Sequence, residues 1–468
     1  MPRYFVTLIV AVALFMETMD STVIATSLPA IAADLHEDPI ALKLALTSYL
    51  LSLAVFIPLS GWMADRFGAR TVFRAAIVVF TLGSAACGFA QGLGDFVLFR
   101  VIQGMGGAMM VPVGRLVIVR TVPKVELISA LAWLTIPALM GPVIGPPLGG
   151  FITTYISWRW IFWINIPVGL IGITLATLYV ANIREEGLPP LDVKGFVLSG
   201  IGLAGLAFGF TTIGQGLFPP AAVAGLFAAG IAGCVLYVRH ARTAPAPLLD
   251  LDLLKVDTFF ASVVGGFLYR IGVGALPFLL PLMLQLGFGL NPMQSGLLTF
   301  ASAVGAVAMK TTAAPILRRF GFKRVLVTNA VVSSLFLAAI ALFTAGTPHW
   351  IILTVLLVGG FFKSLEFTSI NSIAYADIDA KAMSRATSFA SVAQQLSLSA
   401  GVAIGALVLE VQRMGRGSED VVAGDFPLAF VLVAAIAASA SLIFAMLPKD
   451  AGASLASRAR PVGVQDVP

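Results

Sequence analysis

Apolar runs of about twenty residues recur from one end of this chain to the other, and about twenty is what a helix needs to cross a hydrocarbon core roughly 30 Å thick. The runs fall at 5–31, 42–64, 71–91, 95–119, 126–154, 158–182, 195–215, 219–239, 258–286, 292–316, 324–345, 349–376, 385–410 and 425–447, which predicts fourteen transmembrane helices. A chain built this way has lipid, not water, as its main solvent. Only 11% of its residues are charged and 59% are hydrophobic, where a soluble domain carries about 25% charged residues. The stretch behind Met1 carries Glu17 and Asp20 and no small-residue cleavage site, so it is read as a retained first helix, not a signal peptide.

Net charge then becomes a statement about topology. The sequence pI is 9.4, which in a soluble chain would point to nucleic acid. Placing the N-terminus in the cytoplasm instead puts most basic loop residues on that side, Arg66, Arg70, Arg120, Lys124, Arg184, Lys194, Arg239, Arg318, Lys323, Arg385 and Lys449 among them. Only Lys43, Arg159, Arg413 and Arg416 face out. That asymmetry is the positive-inside pattern. It predicts cytoplasmic termini and a multi-pass protein of a bacterial cytoplasmic membrane, with no nucleic-acid partner.

Two polar segments, Arg184 through Asp192 and Arg239 through Asp257, bracket the seventh and eighth runs, whose apolar cores carry no charge. They read as an inserted pair. The predicted organisation is a six-helix half at 1–183, a linker with two inserted helices at 184–257, a second six-helix half at 258–450 and a cytoplasmic tail at 451–468. The halves can be compared directly. Gly61-Trp-Met-Ala-Asp-Arg-Phe-Gly-Ala-Arg after the second run has a counterpart in Pro315-Ile-Leu-Arg-Arg-Phe-Gly-Phe-Lys-Arg after the tenth, and Phe67-Gly68 falls on Phe320-Gly321 at an offset of 253 residues. Repeated halves suggest a transporter with its binding site near the midplane between them.

Four motifs carry a resemblance: Asp20-Ser-Thr-Val-Ile-Ala-Thr-Ser-Leu-Pro in the first run, the Gly61–Arg70 loop, Arg100-Val-Ile-Gln-Gly-Met-Gly-Gly in the fourth, and Gly141-Pro-Val-Ile-Gly-Pro-Pro-Leu-Gly-Gly in the fifth. Trp158-Arg-Trp-Ile-Phe-Trp-Ile-Asn-Ile-Pro-Val-Gly opens the sixth. In this order and on these helices, the chain resembles the major facilitator superfamily, and within it the fourteen-helix drug/proton antiporters, over nearly its whole length. The resemblance implies an all-α fold of two six-helix halves plus two linker helices. It further implies proton-coupled export, by alternating access, of lipophilic or amphipathic compounds such as drugs. Two alternatives stay open: a dedicated exporter of an endogenous metabolite, siderophore or lipid, and a non-transporting membrane sensor or scaffold.

Candidate residues follow. Gly61 and Gly68 permit tight backbone, and Asp65 with Arg66 and Arg70 offers a charge-assisted latch; in the family such a latch stabilises the outward-open state. The second copy has Arg318 where the first has Asp65, so the gate is assigned to the first copy. Gly141, Pro142, Gly145, Pro146 and Gly149 match the antiporter signature, and small residues also let helices approach closely. Glu17 and Asp20 share a face of the first helix. At 1.5 Å per residue Asp20 lies about 20 Å from the cytoplasmic end, and Arg100 about 8 Å below the outer end of its helix. A cluster of Asp20, Arg100 and Gln103 is therefore expected, either coupling protons, as the resemblance implies, or stapling two helices. Glu17, nearer the midplane, is the candidate proton carrier.

The cavity is expected to include Glu17, its repeat counterpart Arg270, Lys363, Glu366, Gln394 and Gln395. Lys363 and Glu366 can alternatively pair with each other along their helix. Lys310 and Arg115 are read as snorkelling to the interface. No nucleotide-binding phosphate loop occurs, Cys87 and Cys234 lie in apolar runs, and His36, His240 and His349 have no metal-ligand spacing and are read as surface residues. The expectation is a non-enzyme without cofactor or metal, driven by an ion gradient, whose partners are a small-molecule substrate, protons and membrane lipids, and which is a monomer.

Overall fold

A computed structural model describes residues 5–122, 127–185, 190–213, 218–379, 382–418 and 420–453, with Phe5 and 127–139 as backbone only. Every regular element in it is helical. The N-terminal part comprises α1 (Phe5–Val23), α2 (Leu28–Leu35), α3 (Lys43–Phe67), α4 (Ala69–Cys87), α5 (Leu93–Thr121), α6 (Leu127–Tyr155), α7 (Trp160–Trp163) and α8 (Asn165–Tyr179). After it come α9 (Val193–Thr212) and α10 (Pro220–Ala241). The C-terminal part holds α11 (Asp257–Phe260), α12 (Gly266–Leu282), α13 (Pro292–Phe320), α14 (Phe322–Ala339), α15 (His349–Ile373), α16 (Met383–Arg416) and α17 (Phe426–Ala445).

Thirteen helices among the described residues are long and apolar enough to cross a membrane. α6, 29 residues long, is the helix that would complete the expected fourteen. The first predicted run is interrupted: α1 tightens into a 3₁₀ turn at Ile24–Thr26, and α2 restarts with Pro29 in its first turn, where a missing N–H costs nothing. The ninth run bulges into π-helix at Ala261–Gly265 and again at Met283–Gly287, the second just past Pro277 and Pro281. α16 outruns its predicted span at both ends.

Packing repeats with the 253-residue offset. α1 lies on α6 as α12 lies on α16, α3 on α5 as α13 on α15, and α4 on α8 as α14 on α17. The turns that break α3 from α4 and α13 from α14 repeat too: Gly68 has φ +95° and Gly321 φ +75°, backbone that an L side chain resists. The main helix contacts between the halves are α6 with α13 and α3 with α16, and the repeat exchanges one for the other.

α9 and α10 pack mainly on each other through Gly202, Gly205, Gly230 and Gly233, and α9 also touches α3 and α16. Their junction is tied by Asp192, which caps α9 by accepting from the Gly195 amide at 2.8 Å and lies 2.6 Å from His240 Nε2. Burial works against the Asp192 carboxylate, but these two contacts and the Leu248 amide outweigh it and hold the carboxyl below its ordinary range. His240 is thus a paired residue at a helix junction, not the plain surface residue its position in the sequence implied.

The apolar core is not uniform along the bundle. Near the end that carries Ser157, one cluster runs across both halves, joining Ile24, Leu28 and Ile31 to Phe278, Leu282 and Leu298. Toward the opposite end, which carries Gly68, the core divides. One cluster belongs to the N-terminal half, with Val10, Phe73 and Val113, and another to the C-terminal half, with Tyr269, Leu326 and Phe444. A small side cluster of Ala54, Tyr237, Leu249 and Val392 links α3 and α16 beside the inserted pair.

Candidate functional site

At the heart of the N-terminal half, α1, α4, α5 and α8 bring together the expected cluster and two members that the sequence did not flag. Arg100 Nη1 donates to Asp20 Oδ2 at 2.7 Å and to Gln103 Oε1 at 2.6 Å, and Gln103 Nε2 donates to Asp20 Oδ1 at 2.8 Å. Asn165 Nδ2 adds a bond to Asp20 Oδ1 at 3.3 Å and one to Ser84 Oγ at 3.0 Å. Arg100 Nε donates to the Ala45 carbonyl, and its guanidinium stacks 4.2 Å from the Tyr49 ring centroid. Asp20 is 3% exposed, Arg100 1% and Gln103 and Asn165 0%. This buried charge pair and the hydrogen bonds around it hold α1, α4, α5 and α8 in register.

Glu17, one turn toward the Gly68 end, is different. It is half-buried, forms no ion pair among the described residues, and leaves Oε2 buried without a hydrogen-bond partner. Arg115 on α5, expected to snorkel, is exposed and lies within electrostatic reach of it. Such a carboxyl has nothing fixed to satisfy its charge.

The C-terminal half departs from expectation. Lys363 and Glu366 do not pair with each other: Lys363 Nζ donates to Ser302 Oγ at 3.0 Å, and Glu366 Oε2 accepts from Asn329 Nδ2 at 2.8 Å. On a helix, positions three apart still diverge enough to address different neighbours, here α13 and α14. Glu366 is 0% exposed within the half, and Lys363 lines a cavity of about 40 Å³ between α12–α15 and α17. Arg270 is 3% exposed, donates from Nη2 to Asn371 Oδ1 at 2.8 Å and lies 5.3 Å from the Phe367 ring centroid. Lys310, about 15 Å from the end of α13 at 1.5 Å per residue, is too deep for simple snorkelling and donates to Thr368 Oγ1 at 2.8 Å. Gln394 and Gln395 are half-buried on α16.

In the loop motif, Asp65 pairs with a neighbouring helix end and not with Arg66 or Arg70. Asp65 Oδ1 accepts from Arg120 Nη2 of α5 at 2.6 Å, and the same Nη2 reaches Glu185. Arg66 and Arg70 make no ion pair with it. The segment after α8 folds back on the α3–α4 turn, where the Glu185 amide donates to the Asp65 carbonyl and the Ala69 amide to Ile183. Gly68 is needed there, since a Cβ would run into Asn182. Gly61 has open space around it, so close approach does not explain that glycine.

Along α6, Gly141, Gly145 and Gly149 form a stripe four residues apart that meets Thr18 and Thr22 of α1 and Thr26 of the 3₁₀ turn behind it at the same spacing. Thr22 Oγ1 donates to the Gly141 carbonyl at 3.2 Å. Pro142 shares this segment, and Pro146 has a second role: its carbonyl faces Gly296 of α13, while Gly150 faces Pro292 and Met293. One helix thus seals against α1 on one face and against the other half on another.

The seal between halves is reinforced at the Ser157 end. Arg413 of α16 bonds Asp38 across the interface and Glu410 on its own helix at 2.9 Å, while Gln285 Nε2 donates to the Thr26 carbonyl at 2.9 Å. Lys43, expected in an outer loop, is 0% exposed beside this group with Nζ unbonded. On the same end Arg159 holds Asp34 at 2.5 Å, and that hydrogen bond keeps the Asp34 carboxyl below its usual range.

Comparison with known proteins extends this geometry. The family model described as Major Facilitator Superfamily matches residues 10–196 and 262–465, passing over most of the α9–α10 segment. "Putative multidrug resistance protein MdtD" of Escherichia coli O6:H1 is 38% identical over 448 residues, covering 94% of each chain. The protein of the same name from Yersinia enterocolitica is 39% identical over 451 residues and 95% of each chain. Among solved structures, a D-xylose-proton symporter superposes with a TM-score of 0.67 over 96% of this chain and 99% of its own, at 15% identity, a likeness of fold alone. The repeat of helix pairings, the twin glycine turns and a family match that spans both halves agree, and the chain belongs to the Major Facilitator Superfamily.

Proposed function

We propose that this protein is a proton-coupled secondary exporter of small lipophilic or amphipathic compounds in a bacterial cytoplasmic membrane, working by alternating access. In this reading both termini are cytoplasmic, fourteen helices cross the bilayer, and 1–183 and 258–450 rock about a midplane site with 184–257 as a linker. The observation that carries it is Glu17, an unpaired, half-buried carboxyl at mid-depth in a bundle whose halves share their large apolar core toward the Ser157 end. With the Gly68 end cytoplasmic, this is the inward-facing state, closed by Asp38–Arg413, the α6–α13 contact and the shared core. Protonation of Glu17 and occupancy by substrate would exclude one another, which is what exchange requires. The glycine stripe on α6 and the similarity to the MdtD proteins, named as putative multidrug resistance proteins, support export. Asp20, Arg100 and Gln103 would relay changes at Glu17 to α4, α5 and α8, with Asp65–Arg120 governing the cytoplasmic gate.

The test uses everted membrane vesicles in which respiration acidifies the lumen, with compounds chosen by a sensitivity screen in a pump-deficient host. An exporter discharges the pH gradient when its substrate is added and accumulates that substrate in the lumen. A sensor or scaffold does neither with any compound that the screen identifies.

A further inference from the structure

We infer that the transported species is a small organic anion, whose anionic oxygens are held by Arg270 and Lys310 against one turn of α15. The inference rests on the exporter reading above and specifies its substrate class.

It starts from charges lying more than about two turns inside the spanning helices. Asp20 and Arg100 cancel as an ion pair. What remains is two acids, Glu17 and Glu366, and three bases, Arg270, Lys310 and Lys363, with no ion pair between any acid and any base of this set among the described residues. All three bases belong to the C-terminal half, whose single remaining acid is bonded to Asn329 instead. Uncompensated charge at this depth is expensive and is kept where a ligand or pathway uses it.

The surplus is also placed to act. Arg270 comes from α12 and Lys310 from α13, yet their hydrogen bonds land on Asn371 and Thr368, with Phe367 under the guanidinium, all within one turn of α15. Asn371, Thr368 and Phe367 are all neutral. Arg270 is 3% exposed and its Nε has no hydrogen-bond partner. Lys310 is exposed, and its ammonium shows one bond of the three it can donate. A planar fork of donors beside a mobile ammonium suits a carboxylate or a phosphate ester, which accept in that geometry. A lipophilic cation would be repelled. Lys363 stands apart, bonded to Ser302 in its own cavity, and belongs to a different site. The direction is consistent with export, since an inside-negative potential favours an outgoing anion as it favours an incoming proton.

The probes are benzoate, phenyl phosphate and the cation tetraphenylphosphonium, added to the purified full-length protein, with binding read by thermal stabilisation and by equilibrium dialysis. One or both anions should bind and the cation should not; whichever anion is preferred identifies the oxygen group. Arg270→Gln and Lys310→Gln should each weaken anion binding tenfold or more, with Arg270→Lys recovering part of it. A structural role for Arg270 would lower yield in R270Q without changing the order of the probes. If R270Q does not fold, Lys310→Gln, altered at an exposed side chain, carries the test. Failure of both anions to bind, or unchanged affinity in K310Q, overturns the inference. Proton exchange in liposomes is read separately. Exchange with tetraphenylphosphonium but not with anions leaves the exporter standing and sinks the anion, whereas no exchange with any probe despite anion binding sinks the exporter reading instead.

Discussion

Asp20 and Arg100 are eighty positions apart in sequence and 2.7 Å apart in the fold. Their meeting was legible because a charge in an apolar helix has few places to go, and helical rise fixes its depth. Asn165 and Ser84 were not legible: neutral polar residues near helix ends carry no such cost and so no such signal. Removing one partner leaves a buried charge exposed to apolar surroundings, which costs about 3–5 kcal/mol. Asp20→Asn should therefore lower yield and melting temperature, and Asp20→Asn combined with Arg100→Gln should recover much of both. If the double variant is no more stable than either single one, the pair is not the staple that its geometry implies. The alternative Lys363–Glu366 pair does not form, since spacing along one helix says nothing of the partners that α13 and α14 offer, Ser302 and Asn329.

At the scale of the element, the stripe on α6 was readable as small residues, but its mate on α1 was not. Nothing in the sequence aligns Thr18, Thr22 and Thr26 with Gly141, Gly145 and Gly149 until the two helices are laid together. A methyl at Gly145 would collide with Thr22 Oγ1. Gly145→Ala should cost about 1–3 kcal/mol of stability by overpacking, measured as a lower melting temperature in detergent, and Thr22→Ala should restore part of the loss. No relief from the second change would place the strain elsewhere.

Asp65 was legible from its motif, and a neighbouring helix end was among the partners open to it; several arginines crowd that end, and only packing selects Arg120. The Asp65–Arg120 pair is partly exposed, at 23% and 15%, so its worth in stability is about 0–1 kcal/mol. Its worth to the conformational equilibrium is the more sensitive readout. Asp65→Asn and Arg120→Gln should alter gating alike, and the double change should do no more than either alone. Additive effects on labelling from the cytoplasmic side would separate the two residues.

At the scale of the whole molecule, fold and repeat were nearly all in the sequence, whereas the state was not. Which end is closed depends on contacts between residues far apart in the chain, such as Arg413 with Asp38 and Gln285 with Thr26. Loosening that end should favour the opposite state. In a background with Cys87 and Cys234 replaced by serine, Arg413→Gln should raise labelling of a cysteine at Gln285 by an impermeant thiol reagent applied to intact cells. Unchanged labelling would mean that the Arg413 contacts do not hold the closure.

Exchange of a proton for substrate through an ionisable group between the halves is the claim on which the rest depends. The most direct measurement compares wild type with Glu17→Gln in proteoliposomes, following substrate flux both under an imposed pH gradient and as counterflow, with equal substrate on both sides and no gradient. Glutamine keeps the shape of the side chain and loses only the proton. Gradient-driven flux should fall to background in Glu17→Gln while counterflow persists. Gradient-driven flux at the wild-type rate would contradict the account, and would move the coupling away from α1.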